Sequence, residues 1–142
     1  MNYTALDIAR YIITYCCKKS TPISNLQLQK ILYFLWIDFY KQTGRDLFSD
    51  NICAWPLGPV VPVVYNEFCV YAGIPISEKY DVNIDNDDAI IIDDILEKYV
   101  HRSAYDLVNQ SHVSGGAWDT VYDNKKGIYR IIPFSKIRKL EK

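Results

Sequence analysis

Apolar residues recur at helical spacing from the start of the chain: Ala5, Ala9, Ile12, Ile13 and Cys16 follow Thr4 and Asp7, a pair spaced as a capping box. This predicts a first helix running to about Lys19. A second start signal lies at Ser24, with Gln27 three residues on and Ile23 placed to staple onto Leu28. The predicted helix from Asn25 to about Gln42, closed by Gly44, carries Leu28, Ile31, Leu32, Leu35 and Phe39 on one face. Tyr33, Phe34, Trp36 and Ile37 cover much of the rest, so this helix is expected at the centre of the fold, buried on several sides.

Beyond Gly44 the periodicity changes. Ile52 to Trp55 reads as a short strand leading into "AWPLGPVVPVVYNEF", residues 54–68, in which Pro56, Pro59 and Pro62 stand at every third position. Proline fixes its own φ and biases the residue before it towards extended geometry, so the chain turns helical only after Pro62, which suits the first turn of a helix. Val61, Val64, Tyr65, Phe68 and Ala72 then share one stripe, stopped by Gly73 and Pro75. Ala89 to Val100 opens like a strand, but Ile92, Ile95, Leu96 and Tyr99 and the segment's length favour helix. Ser103 with Asp106 starts another helix. A loop is expected around Trp118, a strand from Gly127 to Ile132 pairing with the one at Ile52, and a short basic helix at the end. The expected fold is mainly α (α+β), a compact helical domain with a small antiparallel β-sheet.

The 142 residues suit one domain, 1–142, able to bury roughly two thirds of its unfolded surface. The formal net charge of −1 gives no global basic field of the kind that drives nucleic-acid binding. The charge is unevenly placed, however: seven acids and no Lys or Arg lie between Asp81 and Glu97, and seven bases against Glu141 alone lie from Lys125 onward. Such blocks usually solvate a surface. The sharper alternatives are steering of a basic partner by the acidic block and nucleic-acid binding by the basic end.

Cys16, Cys17, Cys53 and Cys69 form no C-x-x-C, and no secretory leader precedes the first helix, which favours a reducing, cytoplasmic setting. The longest apolar runs are too short for a membrane span. His101 and His112 lack the cysteine pairs of a zinc site, so neither a metal nor a cofactor is expected. The best enzymatic reading is a hydrolase using Cys53 or Cys69 with His112 as base and an Asp or Asn as orienter, but Cys53 sits in no nucleophile motif and buried cysteine is usually inert packing. His112 reads more simply as a structural histidine tying the Gly115–Gly116 loop to a helix.

Three stretches together resemble one family: "ISNLQLQKILYFLWIDFYKQTGRDLFSDNICAWPLGPVVPVVYNEF", "YDLVNQSHVSGGAW" and "GIYRIIPFSKIRK". They are similar to the Panacea domain, the SocA-like or GepA-like phage-associated antitoxin family. The carrying motifs are the Leu28-Gln29-Lys30 helix, the Leu47-Phe48 turn, the Ala54–Tyr65 corner, and Ser111-His112 followed by Gly116-Ala117-Trp118, where the family usually has Gly-Pro-Trp. The resemblance implies an antitoxin, not an enzyme, that neutralises a cognate protein toxin; some members deliver their toxin to a protease. The corner carries the partner-binding candidates Trp55, Gly58, Pro59, Val60 and Tyr65, joined by His112 and Trp118. Val60 is expected at its exposed part, and Trp55 either as a buried wedge or as a presented anchor.

Overall fold

In the computed structural model, which describes residues 2–141, the fold consists of seven helices and a two-stranded antiparallel hairpin. Helix α1 spans Ala5–Lys18 and α2 Asn25–Thr43. Both capping boxes form: Asp7 N donates to Thr4 Oγ1 and Gln27 N to Ser24 Oγ, and each N3 side chain accepts in return from the cap backbone. Gly44, at φ 72°, closes α2 in the left-handed conformation that glycine adopts without steric cost.

Helix α2 is buried nearly all round, from Leu28 through Ile37, and is packed by α1 and by the later helices. Each fully buried Leu, Ile or Phe contributes about 1.5–3 kcal/mol of hydrophobic stabilisation. The polar surprise is that Asn25, Gln29 and Lys30 are buried too.

Strands β1 (Cys53–Trp55) and β2 (Gly58–Val60) pair antiparallel, with Cys53 opposite Val60, Ala54 opposite Pro59 and Trp55 opposite Gly58. The three-proline corner is therefore a tight hairpin with Pro56 and Leu57 at its tip. Gly58, at φ 109°, makes the turn, and a Cβ there would lie 2.6 Å from Ser111 Oγ. Ala54 gives its N–H to Arg130 O (2.8 Å) and accepts from Tyr129 N (2.7 Å), so it faces away from Pro59. The Ala54–Pro59 pair is thus of the non-hydrogen-bonded kind, and proline's missing N–H breaks no ladder bond.

The expected strand over 127–132 is not regular. Its residues flank β1 through those two bonds and Ile132 N to Ile52 O at 2.7 Å, but only Cys53 and Ile131 form a bridge. Tyr129 at φ 67° takes the chain out of extended geometry, after a left-handed run from Asp123 to Lys125.

Helix α3 (Pro62–Phe68) begins on its proline and passes into a 3-10 turn over Cys69–Tyr71. Helix α4 runs Asn86–Leu96, earlier than its apolar pattern predicts, because the Asp85 side chain accepts from Asp87 N and Asp88 N. Helix α5 covers Ala104–Ser111, capped by Ser103. The loop expected around Trp118 is helix α6, Ala117–Tyr122, entered from Gly116. Ala117 N donates to Glu141 Oε1 at 3.1 Å, a bond that the family's usual proline cannot make. Helix α7, Phe134–Leu140, carries the basic end back across α2. No helix among the described residues is long and apolar enough to cross a membrane.

Candidate functional site

The hairpin is held from three sides. From α2, Gln29 Oε1 accepts from Val61 N (2.9 Å), Lys30 Nζ donates to Pro59 O (2.8 Å), and Asn25 Nδ2 donates to Tyr65 O (3.2 Å). Gln29 Nε2 donates to Asn25 Oδ1 (2.9 Å), linking the two amides one helical turn apart. From α6, Trp118 Nε1 donates to Trp55 O at 2.8 Å. On the outer side, residues 129–132 cover β1. Both edges of the hairpin are therefore occupied, and it offers no free strand for pairing with a partner.

The aromatic members form two groups. Trp55 meets Tyr65 and Tyr129 edge-on, with centroids 4.9 and 5.6 Å apart. Trp118 lies flat between His112, at 3.8 Å and 2°, and Tyr122, at 4.5 Å. Burial depresses the basicity of His112, helped by the positive charge of Lys30; Asp119 opposes this. His112 Nε2 is buried and has no hydrogen-bond partner.

The sequence candidates separate by exposure. Gly58, Pro59, Val60 and Trp118 are buried, and of these Val60 also lines the groove beside the hairpin. Val60, expected at the exposed part of the corner, is only 3% exposed, because β2 packs against α2. Trp55 and Tyr65 are half-buried. They line a groove of about 360 Å³ with Asn25, Leu26, Pro56, Leu57 and Cys69. Leu57, 55% exposed at the hairpin tip, is the apolar group most freely presented there. The corner reading passed over Leu57 and Pro56, which become the tip only when Gly58 turns the chain. It also passed over Lys30, whose signal was a cation within a helix apolar on every side.

No hydrogen bond among the described residues joins a cysteine to a histidine; Cys17 Sγ donates to Ile76 O at 3.4 Å. Burial pushes the Cys53 thiol up, away from a reactive thiolate, and Cys69 Sγ donates to Asn66 O at 3.2 Å. No three His, Cys, Asp or Glu side chains among the described residues gather to hold a metal ion. The acidic block is mostly exposed, with three of its acids bonded to side chains of the fold. Asp88 meets Arg45 and Tyr3, Asp93 accepts from Tyr11, and Glu97 accepts from Tyr15, while Asp81, Asp85, Asp87, Asp94 and Glu97 are exposed. At the basic end Arg138 pairs with Asp46 and lies over Trp36 and Tyr40, while Lys125, Lys126, Arg130 and Lys136 are exposed. Lys142 lies outside the described residues.

Residues 28–119 match the family described as "Antitoxin SocA-like, Panacea domain". The chain is also 36% identical over 135 residues to "Antitoxin SocA" of Caulobacter vibrioides (strain NA1000 / CB15N), covering 82% of this chain and 69% of that relative. No solved structure matches. The protein belongs to the SocA-like antitoxin family that carries the Panacea domain.

Proposed function

We propose that this member of the SocA-like family neutralises a cognate protein toxin by direct contact, as a binding module rather than an enzyme, and that the toxin seats on the groove beside the β1–β2 hairpin. The observation that carries this reading is the groove itself: an apolar depression of about 360 Å³ with half-buried Trp55 and Tyr65 as walls and exposed Leu57 at its lip. Rigid aromatic walls lose little conformational freedom on binding, which favours affinity. Because both hairpin edges are occupied, the toxin gains side-chain contacts here rather than adding a strand.

The test is rescue. A reading frame adjacent to this gene is expressed alone and then together with this protein. Growth arrest alone, rescue on co-expression and co-purification of the two products are expected. Rescue without a complex contradicts direct contact. Delivery of the toxin to a protease uses the same contact, and a shortened toxin half-life on co-expression distinguishes that route from simple masking.

A further inference from the structure

The hairpin is fastened from beneath by a side chain with no other hydrogen-bond partner. Lys30 is 0% exposed, and its Nζ meets the Pro59 carbonyl at 2.8 Å. None of the ion pairs among the described residues includes it. Burying an amine without a carboxylate is costly, and burial pushes its pKa down to about 7. An apolar residue of the same length would avoid that cost but would strand the Pro59 carbonyl.

The surroundings leave little slack. Gly58 sits against Lys30 so closely that a Cβ there would lie 3.3 Å from Nζ and 2.6 Å from Ser111 Oγ. The titratable group facing Lys30 from α5 is His112, whose own basicity Lys30 lowers. From β2 the neighbours Gly58 and Pro59 do not titrate, and Asp119 of α6 acts through His112.

We propose that Lys30 is a positioning residue, a buried strut whose amine fixes Gly58–Val60 in the conformation that shapes the groove. Its bearing on neutralisation rests on the toxin seating at that groove. The bond to Pro59 lies on the one hairpin edge that faces α2, where Gln29 holds the adjacent residue, Val61. Together these two side chains replace the neighbouring strand that β2 lacks.

The experiment is NMR on the full labelled chain, comparing wild type with Lys30→Met, and with His112→Asn to separate the histidine titration. In wild type and in His112→Asn, the Lys30 Cε resonance and the Gly58 and Val60 amides are expected to titrate with one shared midpoint. In Lys30→Met that midpoint disappears from the hairpin. The Val60 and Val61 amides then exchange roughly tenfold faster, while α1 amides keep their protection. Affinity for the toxic product recovered in the rescue assay falls by a similar factor.

Hairpin exchange and titration unchanged by Lys30→Met would overturn the proposal. If Lys30→Met does not fold, the wild-type titration still decides, because hairpin amides indifferent to the Lys30 midpoint contradict the strut. A loosened hairpin that still binds the toxin at wild-type affinity supports the strut and contradicts the groove as the toxin's seat.

Discussion

Trp118 donates its indole N–H to the Trp55 carbonyl at 2.8 Å, tying a helix near the end of the chain to the first strand of the hairpin. The same ring stacks on His112 and Tyr122, so one side chain joins α5, α6 and β1. Trp118→Phe keeps an aromatic face and removes the donor. In the hairpin register the Trp55 carbonyl also faces Gly58 N, so Trp118→Phe removes one of its two donors, a loss of about 0.5–1.5 kcal/mol. Urea unfolding is expected to show a loss in that range; a change below about 0.5 kcal/mol would mean that the bond adds nothing.

Gly58 is required twice, by its φ of 109° and by its nearness to Ser111 Oγ. Gly58→Ala is expected to cost about 1–3 kcal/mol through backbone strain and the clash together. Adding Ser111→Ala removes the closest contact but leaves the backbone strain and the contacts with Lys30 Cε and Nζ at 3.2 and 3.3 Å, so the double variant should recover part of the loss. Full recovery would show that the φ carries no strain, and no recovery that the contact with Ser111 is irrelevant. Unfolding midpoints of the four proteins complete the cycle.

The buried amine predicts a pH dependence with a definite sign. Lys30 gives up its proton near pH 7 when folded but holds it to about 10.5 when unfolded, so over that interval the unfolded chain binds more protons and stability rises with pH. The slope approaches about 1.4 kcal/mol per pH unit. Cys16, raised to about 12, opposes it as its unfolded pKa near 9 is approached. Wild type should therefore gain stability from pH 7 to 8.5 relative to Lys30→Met. Parallel curves for the two proteins would contradict a buried, depressed lysine.

Acid acts at the other end of the molecule. Asp88, 3% exposed, is held below its ordinary range by Arg45, whose Nη2 lies 2.6 Å away, and by Tyr3. A depressed carboxyl contributes stability above its unfolded pKa and loses it as pH falls through the folded one. Asp88→Asn should cost about 1–3 kcal/mol at neutral pH and flatten the decline below about pH 4. An unchanged acid limb would place that decline elsewhere.

The helices were legible where their ends carried chemistry. Thr4 with Asp7 and Ser24 with Gln27 both announce capping boxes that form, and Gly44 announces the close of α2. The hairpin was only half legible. Proline spacing marked a rigid corner and the alternation in Ile128–Ile132 marked a stretch that does flank β1, but the pairing of β1 with Gly58–Val60 on its other edge went unread. Left-handed backbone at Tyr129 and the turn at Gly58 decide the pairing, and neither leaves a periodic trace. Lys30 is illegible for a related reason. Periodicity places it in the core, and only the Pro59 carbonyl, brought there by the hairpin, explains a cation in that position. Helix α6 is too short for its pattern to stand out between two loops.

Val60 and Leu57 separate architecture from recognition. Val60→Asp would place a carboxylate at a buried strand position and is expected to unfold the protein. Leu57, more than half exposed, tolerates the same change with a stability shift within about 0.5 kcal/mol.

The most direct test of the account is therefore the affinity of Leu57→Asp for the toxic product recovered in the rescue assay, measured by calorimetry beside its thermal midpoint. Truncation or charging of a true anchor costs about 2 kcal/mol or more in binding, so a loss of roughly thirtyfold or more is expected, with rescue of growth abolished and the midpoint nearly unchanged. A folded Leu57→Asp protein that binds and neutralises the toxin as wild type does would contradict the hairpin groove as the toxin's seat.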